Sequence, residues 1–168
     1  MYDLFRQRGR DGAGLLCVHC EDPEMIELTS EPCKSRQGPE AWLASREGIT
    51  EAKGLQTLLD FMAYTGVPAL AVHCSGKEAA ALVRKAANTP GIPRLYVETC
   101  PHYLMLTWED SRDTLGKVNP PLRRDKDREA LWDLITDGYV DVIGSDHIRT
   151  ENKASRKAGS CSRRSSCS

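Results

Sequence analysis

Residues 50–84, TEAKGLQTLLDFMAYTGVPALAVHCSGKEAAALVR, decide the fold. Thr50 is a natural N-cap, and Leu55, Leu58, Leu59 and Met62 recur at helical spacing until Gly66 ends the pattern. Pro68 then introduces a short apolar run, residues 69–73, that closes on His73. A second helical pattern fills residues 77–88, with Ala80, Ala81, Val83 and Ala87 on its apolar side and Ser75 placed to cap it. A helix feeding a strand, and that strand feeding a helix, is the repeating unit of a parallel α/β architecture.

The same unit recurs on either side. Pro90, Gly91 and Pro93 break the second helix, and residues 94–99 read as the next strand. After the Asn119-Pro120-Pro121 loop, residues 125–137 form a helical pattern with Leu131, Leu134 and Ile135 inward, and Gly138 releases it into a strand at 139–144. Upstream, residues 2–8 read as the end of a helix, stopped by Gly9, Gly12 and Gly14 before a strand at 15–19. Residues 21–48 have the Pro and Gly content of a long loop around a short helix at 40–45. Continuous apolar runs such as Leu-Ala-Val and Val-Ile-Gly imply strands buried on both faces. The expected fold class is α/β, with four consecutive β/α units.

Composition narrows the partners. The 168 residues carry a formal net charge of −1, so no global field favours nucleic acid or an anionic membrane. The charged start lacks the apolar stretch of a secretory signal, and no run approaches the ~18 apolar residues of a membrane span, so a cytoplasmic location is expected. Seven cysteines, an odd number, fit free thiols better than a paired framework. Cys17-x-x-Cys20 lacks a second pair at zinc-ribbon spacing, and strand alternation points its two thiols apart. Residues 154–168 are Ser-, Arg- and Cys-rich, net basic and nearly devoid of apolar side chains, so this tail is expected to be disordered and residues 1–153 to form the folded body.

All four histidines follow apolar strand-like runs: LLCVH to His19, ALAVH to His73, LYVETCPH to His102 and VDVIGSDH to His147. One strand-end histidine is commonly a satisfied structural residue, and His73 before a capping serine could simply tie down a turn. Four in the same relative position are harder to explain that way, because the carboxyl ends of barrel strands converge on one face. Asp146 adds a carboxylate at the end of a strand, where a charge is costly unless paired or metal-bound. Imidazole and carboxylate each offer a lone pair to a divalent ion, and an aspartate beside such an ion can serve as a base.

The segments VHCED, VHCSG, ETCPHYL, KVNPPLR and IGSDH, spread over residues 4–153, carry a resemblance. In order and approximate spacing the chain resembles the cyclic amidohydrolases: hydantoinase, dihydropyrimidinase, allantoinase and dihydroorotase. The resemblance implies a metal-dependent TIM-like (β/α) barrel, here its fifth to eighth strands, that hydrolyses a cyclic amide or imide with a pair of zinc ions. By that resemblance His19 and His73 are metal ligands, Asp146 is both ligand and general base, and Asn119 contacts the substrate ring. His102, Tyr103 and His147 lie in the same motifs as supporting residues. The implied chemistry is hydrolysis by a metal-activated water, with Asp146 carrying its proton to the departing ring nitrogen. Complete relatives are expected to be homo-oligomers.

The sequence also departs from that pattern. The His-x-His pair of the first barrel strand, the carboxylated lysine of the fourth and the tyrosine that follows it have no counterpart here; Lys34, Lys53 and Lys77 all come after His19. The chain therefore reads as starting downstream of the bridging lysine, and the abrupt loss of apolar residues after Ser145-Asp146-His147 reads as truncation or a shifted frame. On that reading the isolated chain is expected to be inactive or very weak. The alternative is a noncatalytic relative of the dihydropyrimidinase-related kind, which keeps the fold for assembly; retention of His19, His73 and Asp146 favours the enzyme.

Overall fold

The computed structural model describes residues 1–12, 14–36, 38–110 and 117–148. The basic tail at 154–168, with its expected disorder, lies outside them. Four parallel strands, β1 (Leu16–Val18), β2 (Ala69–Ala71), β3 (Leu95–Thr99) and β4 (Val142–Ile143), stand side by side in chain order. Leu16 lies opposite Ala69, Ala69 opposite Leu95, and Glu98 opposite Val142. Parallel neighbours need a crossover, and helices between the strands supply it.

The core sits where α4 (Gly48–Thr65) and α5 (Lys77–Ala87) pack together beside β2 and β3. Leu55, Leu58, Leu59 and Met62 are buried as their spacing requires, against Ala79, Ala80, Val83 and Ala86 of α5. Ala81 and Ala87, expected inward, are exposed. At 100° per residue Ala81 falls on the side of α5 opposite Val83, and Ala87 is the helix's last residue. The helix α7 (Asp125–Thr136) buries Leu131 and Leu134, and α1 (Tyr2–Asp11) buries Phe5, stacked on Phe61 with ring centroids 5.8 Å apart. This first helix passes through Gly9 and stops at Gly12, whose φ of 66° ends it.

Several local expectations change. The loop read at 21–48 contains α2 (Pro23–Ser30), a 3-10 turn (Glu31–Cys33) and α3 (Pro39–Ala44). Its prolines open helices instead of breaking them, because a first-turn residue needs no N–H partner. Asp22 caps α2 by accepting from the Met25 N–H at 2.9 Å. Thr50 lies inside the first turn of α4, its hydroxyl donating to the Glu47 carbonyl at 2.8 Å, so Glu47 is the N-cap. Likewise Gly76, not Ser75, precedes α5. β4 is exposed on both described residues, so the expected two-sided burial of Val-Ile-Gly is not met there. No described helix is long and apolar enough to cross a membrane. The five described cysteines are free, Cys17 exposed and Cys20, Cys33, Cys74 and Cys100 buried.

Candidate metal centre

His19 lies just beyond β1 and His73 just beyond β2, and the pairing of these two strands brings the rings together. His19 Nδ1 is 2.8 Å from His73 Nε2, with the rings edge to face and their centroids 4.7 Å apart. The His73 side chain is buried, whereas that of His19 is 46% exposed, so the pair has one wall in protein and one in solvent. His73 has a φ of 46° and Asp146 a φ of 47°, the two non-glycine residues in the left-handed region among those described. For an L residue that conformation is costly and persists only where the surroundings impose it.

Electrostatics tie the exposed Asp146 to the same place. Burial pushes His73 down, the His19 charge adds to that, and the Asp146 carboxylate only partly opposes them, so His73 settles at about 4. Burial also lowers His102, again against an opposing pull from Asp146. His102 lies half-buried in the first turn of α6 (Pro101–Met105), and its ring centroid is 4.1 Å from that of Tyr103. His147 is exposed, with its N–H donating to Ser145 Oγ at 3.3 Å.

Beneath the histidines lies a buried polar layer. Glu21 Oε2 meets His19 Nε2 at 3.2 Å and accepts from Arg46 Nη1 at 2.6 Å, while Oε1 is buried without a hydrogen-bond partner. Burial alone would raise the Glu21 carboxyl; the His19 hydrogen bond and the Arg46, His19 and Arg123 charges together outweigh it and hold the group below its ordinary value. The Ser75 N–H and hydroxyl both donate to Glu51 at 2.7 Å, and Arg123 donates to Glu51 at 3.0 Å and to Ser75 Oγ at 2.9 Å. Burial raises Glu51 despite Arg123 and the Ser75 donors.

Asn119 is exposed and framed by two anchored carbonyls. The Trp42 indole donates to the Val118 carbonyl at 3.0 Å, and the Tyr103 hydroxyl donates to that of Pro120 at 2.7 Å. Tyr103 is thus a buried anchor of the Asn119 loop. Among the described residues no group of three His, Cys, Asp or Glu side chains closes on a point that could hold a metal ion. The pair His19–His73 is in contact, and Asp146 stands within electrostatic reach of it.

Known proteins resemble this chain in sequence and in fold. A dihydroorotase of Halobacterium salinarum is 32% identical over 149 residues, covering 86% of this chain and 33% of the relative. An allantoinase of Deinococcus radiodurans is 34% identical over 152 residues, 88% of this chain and 33% of its own length. The solved D-hydantoinase (dihydropyrimidinase) of Thermus sp. superposes with a TM-score of 0.78 at 27% identity, over 87% of this chain and 33% of that one. Over this span the chain belongs to the cyclic amidohydrolase family. It spans about a third of the length of the relatives it matches, and its parallel sheet corresponds to part of a cyclic amidohydrolase TIM-like barrel. No family model matches the chain.

Within this cyclic amidohydrolase barrel wall, the sequence reading missed Arg46, Glu51 and Arg123 and took Glu21 only as the start of a loop. Arg123 carried a usable signal, since it closes the KVNPPLR segment already singled out. Glu51 carried none, because a glutamate in a helix reads as solvated until the fold buries it.

Proposed function

We propose that this chain supplies one side of a divalent-metal centre that hydrolyses a cyclic amide, as the names dihydroorotase, allantoinase and hydantoinase describe for its relatives. The observation that carries this reading is the 2.8 Å contact between two strand-end imidazoles, one of them on a left-handed backbone shared only with Asp146 among the described non-glycine residues. Two imidazole nitrogens and a carboxylate suit zinc by donor type. His19 and His73 would hold the ion with Asp146 as the third donor. Such an ion, when bound, polarises a carbonyl and acidifies water.

The remaining roles belong to the chain itself. Asp146, exposed at its strand end, takes a proton from water and returns it to the leaving ring nitrogen. Asn119, framed by two anchored carbonyls, orients the ring, and Tyr103 keeps its loop in place. His102, which burial lowers against the pull of the Asp146 carboxylate, supports the site from within electrostatic reach of Asp146, while His147 is exposed and supports from the margin. Two histidines and one carboxylate fall short of the donors for a pair of ions, so the 168-residue chain alone is expected to turn over at or near background.

Zinc titration of the purified chain tests the site, with His19→Ala and His73→Ala each expected to weaken binding at least tenfold. Unchanged binding in both variants would sink the metal reading. Hydantoin, dihydrouracil, allantoin and dihydroorotate are the substrates to assay. Turnover by the chain that disappears in Asp146→Asn would overturn the expected inactivity.

A further inference from the structure

We propose that Glu21 is a positioning residue that fixes the tautomer of His19: its buried carboxylate takes the Nε2–H and leaves Nδ1 as the lone pair facing His73. A neutral imidazole has one N–H and one lone pair, so the partner of one nitrogen determines what the other can do. Glu21 Oε2 lies 3.2 Å from His19 Nε2, and an ionised carboxylate can only accept. The carboxylate is itself held in place. Arg46 Nη1 donates to the same oxygen at 2.6 Å, and the Arg46 carbonyl accepts from Arg123 Nη1 at 2.9 Å.

Glu21 makes a poor ion pair if stability is its purpose. Both contacts converge on Oε2 while Oε1 is buried with no hydrogen-bond partner, whereas an arginine pair optimised for strength uses both oxygens. Leaving a carboxylate oxygen unpaired in the interior is costly, and what the arrangement secures in return is the orientation of the His19 ring.

The consequence reaches His73. With Nδ1 of His19 a lone pair, the hydrogen in the 2.8 Å contact belongs to His73 Nε2. A divalent ion taken by both nitrogens then requires His73 to move its hydrogen to Nδ1, while His19 needs no change. This extension to metal binding rests on the proposed function; the tautomer assignment does not.

The test is a long-range proton–nitrogen correlation spectrum of the 168-residue chain with 15N-labelled histidine and no metal, which reads the tautomer of His19 directly. The expected result is Nε2–H in the wild type, retained in Glu21→Gln because an amide oxygen still accepts, and lost to a tautomer mixture in Glu21→Ala. Zinc affinity of Glu21→Ala is expected to fall about tenfold or more, and that of Glu21→Gln by less. An Nδ1–H tautomer in the wild type overturns the proposal, as does a folded Glu21→Ala with unchanged tautomer and zinc affinity. Should Glu21→Ala fail to fold, the wild-type and Glu21→Gln spectra decide. An Nε2–H tautomer in a chain that binds no zinc supports the role of Glu21 and sinks the metal reading alone.

Discussion

Arg123 meets Glu51 at 3.0 Å across 72 positions of sequence, with each side chain 3% exposed. The pair fastens the segment after the Asn119 loop to the first turns of α4. Through Ser75 it also fastens the residue two beyond His73. Two segments that carry candidate site residues, those of His73 and Asn119, are therefore tied to α4 through one buried ion pair.

Removing one member of such a pair strands the other. Arg123→Met should cost about 3–5 kcal/mol, because Glu51 keeps its burial and loses its cation. The double variant Glu51→Gln/Arg123→Met should recover a substantial part of that loss, since neither position then carries an unpaired charge. Urea denaturation followed by circular dichroism reads both. A single-variant loss no larger than that of an exposed pair, about 1 kcal/mol or less, would contradict the buried geometry.

Acid should loosen the chain through His73. Its folded value of about 4 lies below the ordinary 6.5, so between the two the unfolded chain binds the proton more readily than the folded one. Stability is therefore fully present above pH 6.5 and lost as pH falls toward 4, by on the order of 3 kcal/mol for a shift of this size. Glu21, held below its ordinary 4.5, acts in the same sense, and its contribution is lost as pH falls below that value. Glu51 runs the other way: raised by burial, its contribution is present below 4.5 and is lost as pH rises through the folded value. Comparing urea midpoints from pH 7.5 to 4 for the wild type and His73→Asn isolates the histidine. The variant should show the flatter profile, and parallel profiles would refute the assignment.

The strand ends were legible because apolar runs closing on a histidine or aspartate are a local signal, and strand order followed from the alternation of helix and strand. The prolines were misread for an equally local reason. Pro23 and Pro39 carry the same letter whether they break a helix or open one, and only the hydrogen bonds around them distinguish the cases. The buried layer was illegible in a different way. Glu51 becomes a core residue, and Arg46 a partly buried one, only when distant segments fold over them, and nothing in the residues beside either announces that.

Gly54 marks a close approach between α4 and the loop that carries Glu21. A methyl group there would stand 2.6 Å from the Cys20 carbonyl carbon and 2.9 Å from the Glu21 nitrogen, both backbone atoms that cannot swing aside. Gly54→Ala should therefore destabilise the chain by about 1–3 kcal/mol, although alanine is the better helix former. It should also disturb the contact between Glu21 and His19. A lower thermal midpoint together with a changed His19 nitrogen shift is the expected outcome, and a higher midpoint would show that the two backbones are not packed this closely.

Tyr103 is the sharper test of how the Asn119 loop is held. Its hydroxyl is the donor to the buried Pro120 carbonyl, and Tyr103→Phe keeps the ring while deleting that one hydrogen bond. A buried acceptor left without a partner costs about 1–3 kcal/mol, so the variant should be less stable by that amount with the ring packing intact. Trp42→Phe removes the donor on the other side of Asn119, at Val118, and shortens the ring as well. If the two anchors together fix the loop, amide hydrogen exchange at Asn119 should rise in each single variant and most in the double, while exchange at Leu58 in the core keeps its protection wherever the chain remains folded. Exchange at Asn119 that stays at the wild-type rate in the double variant would mean that the buried prolines, and not the two donors, hold the residue in place.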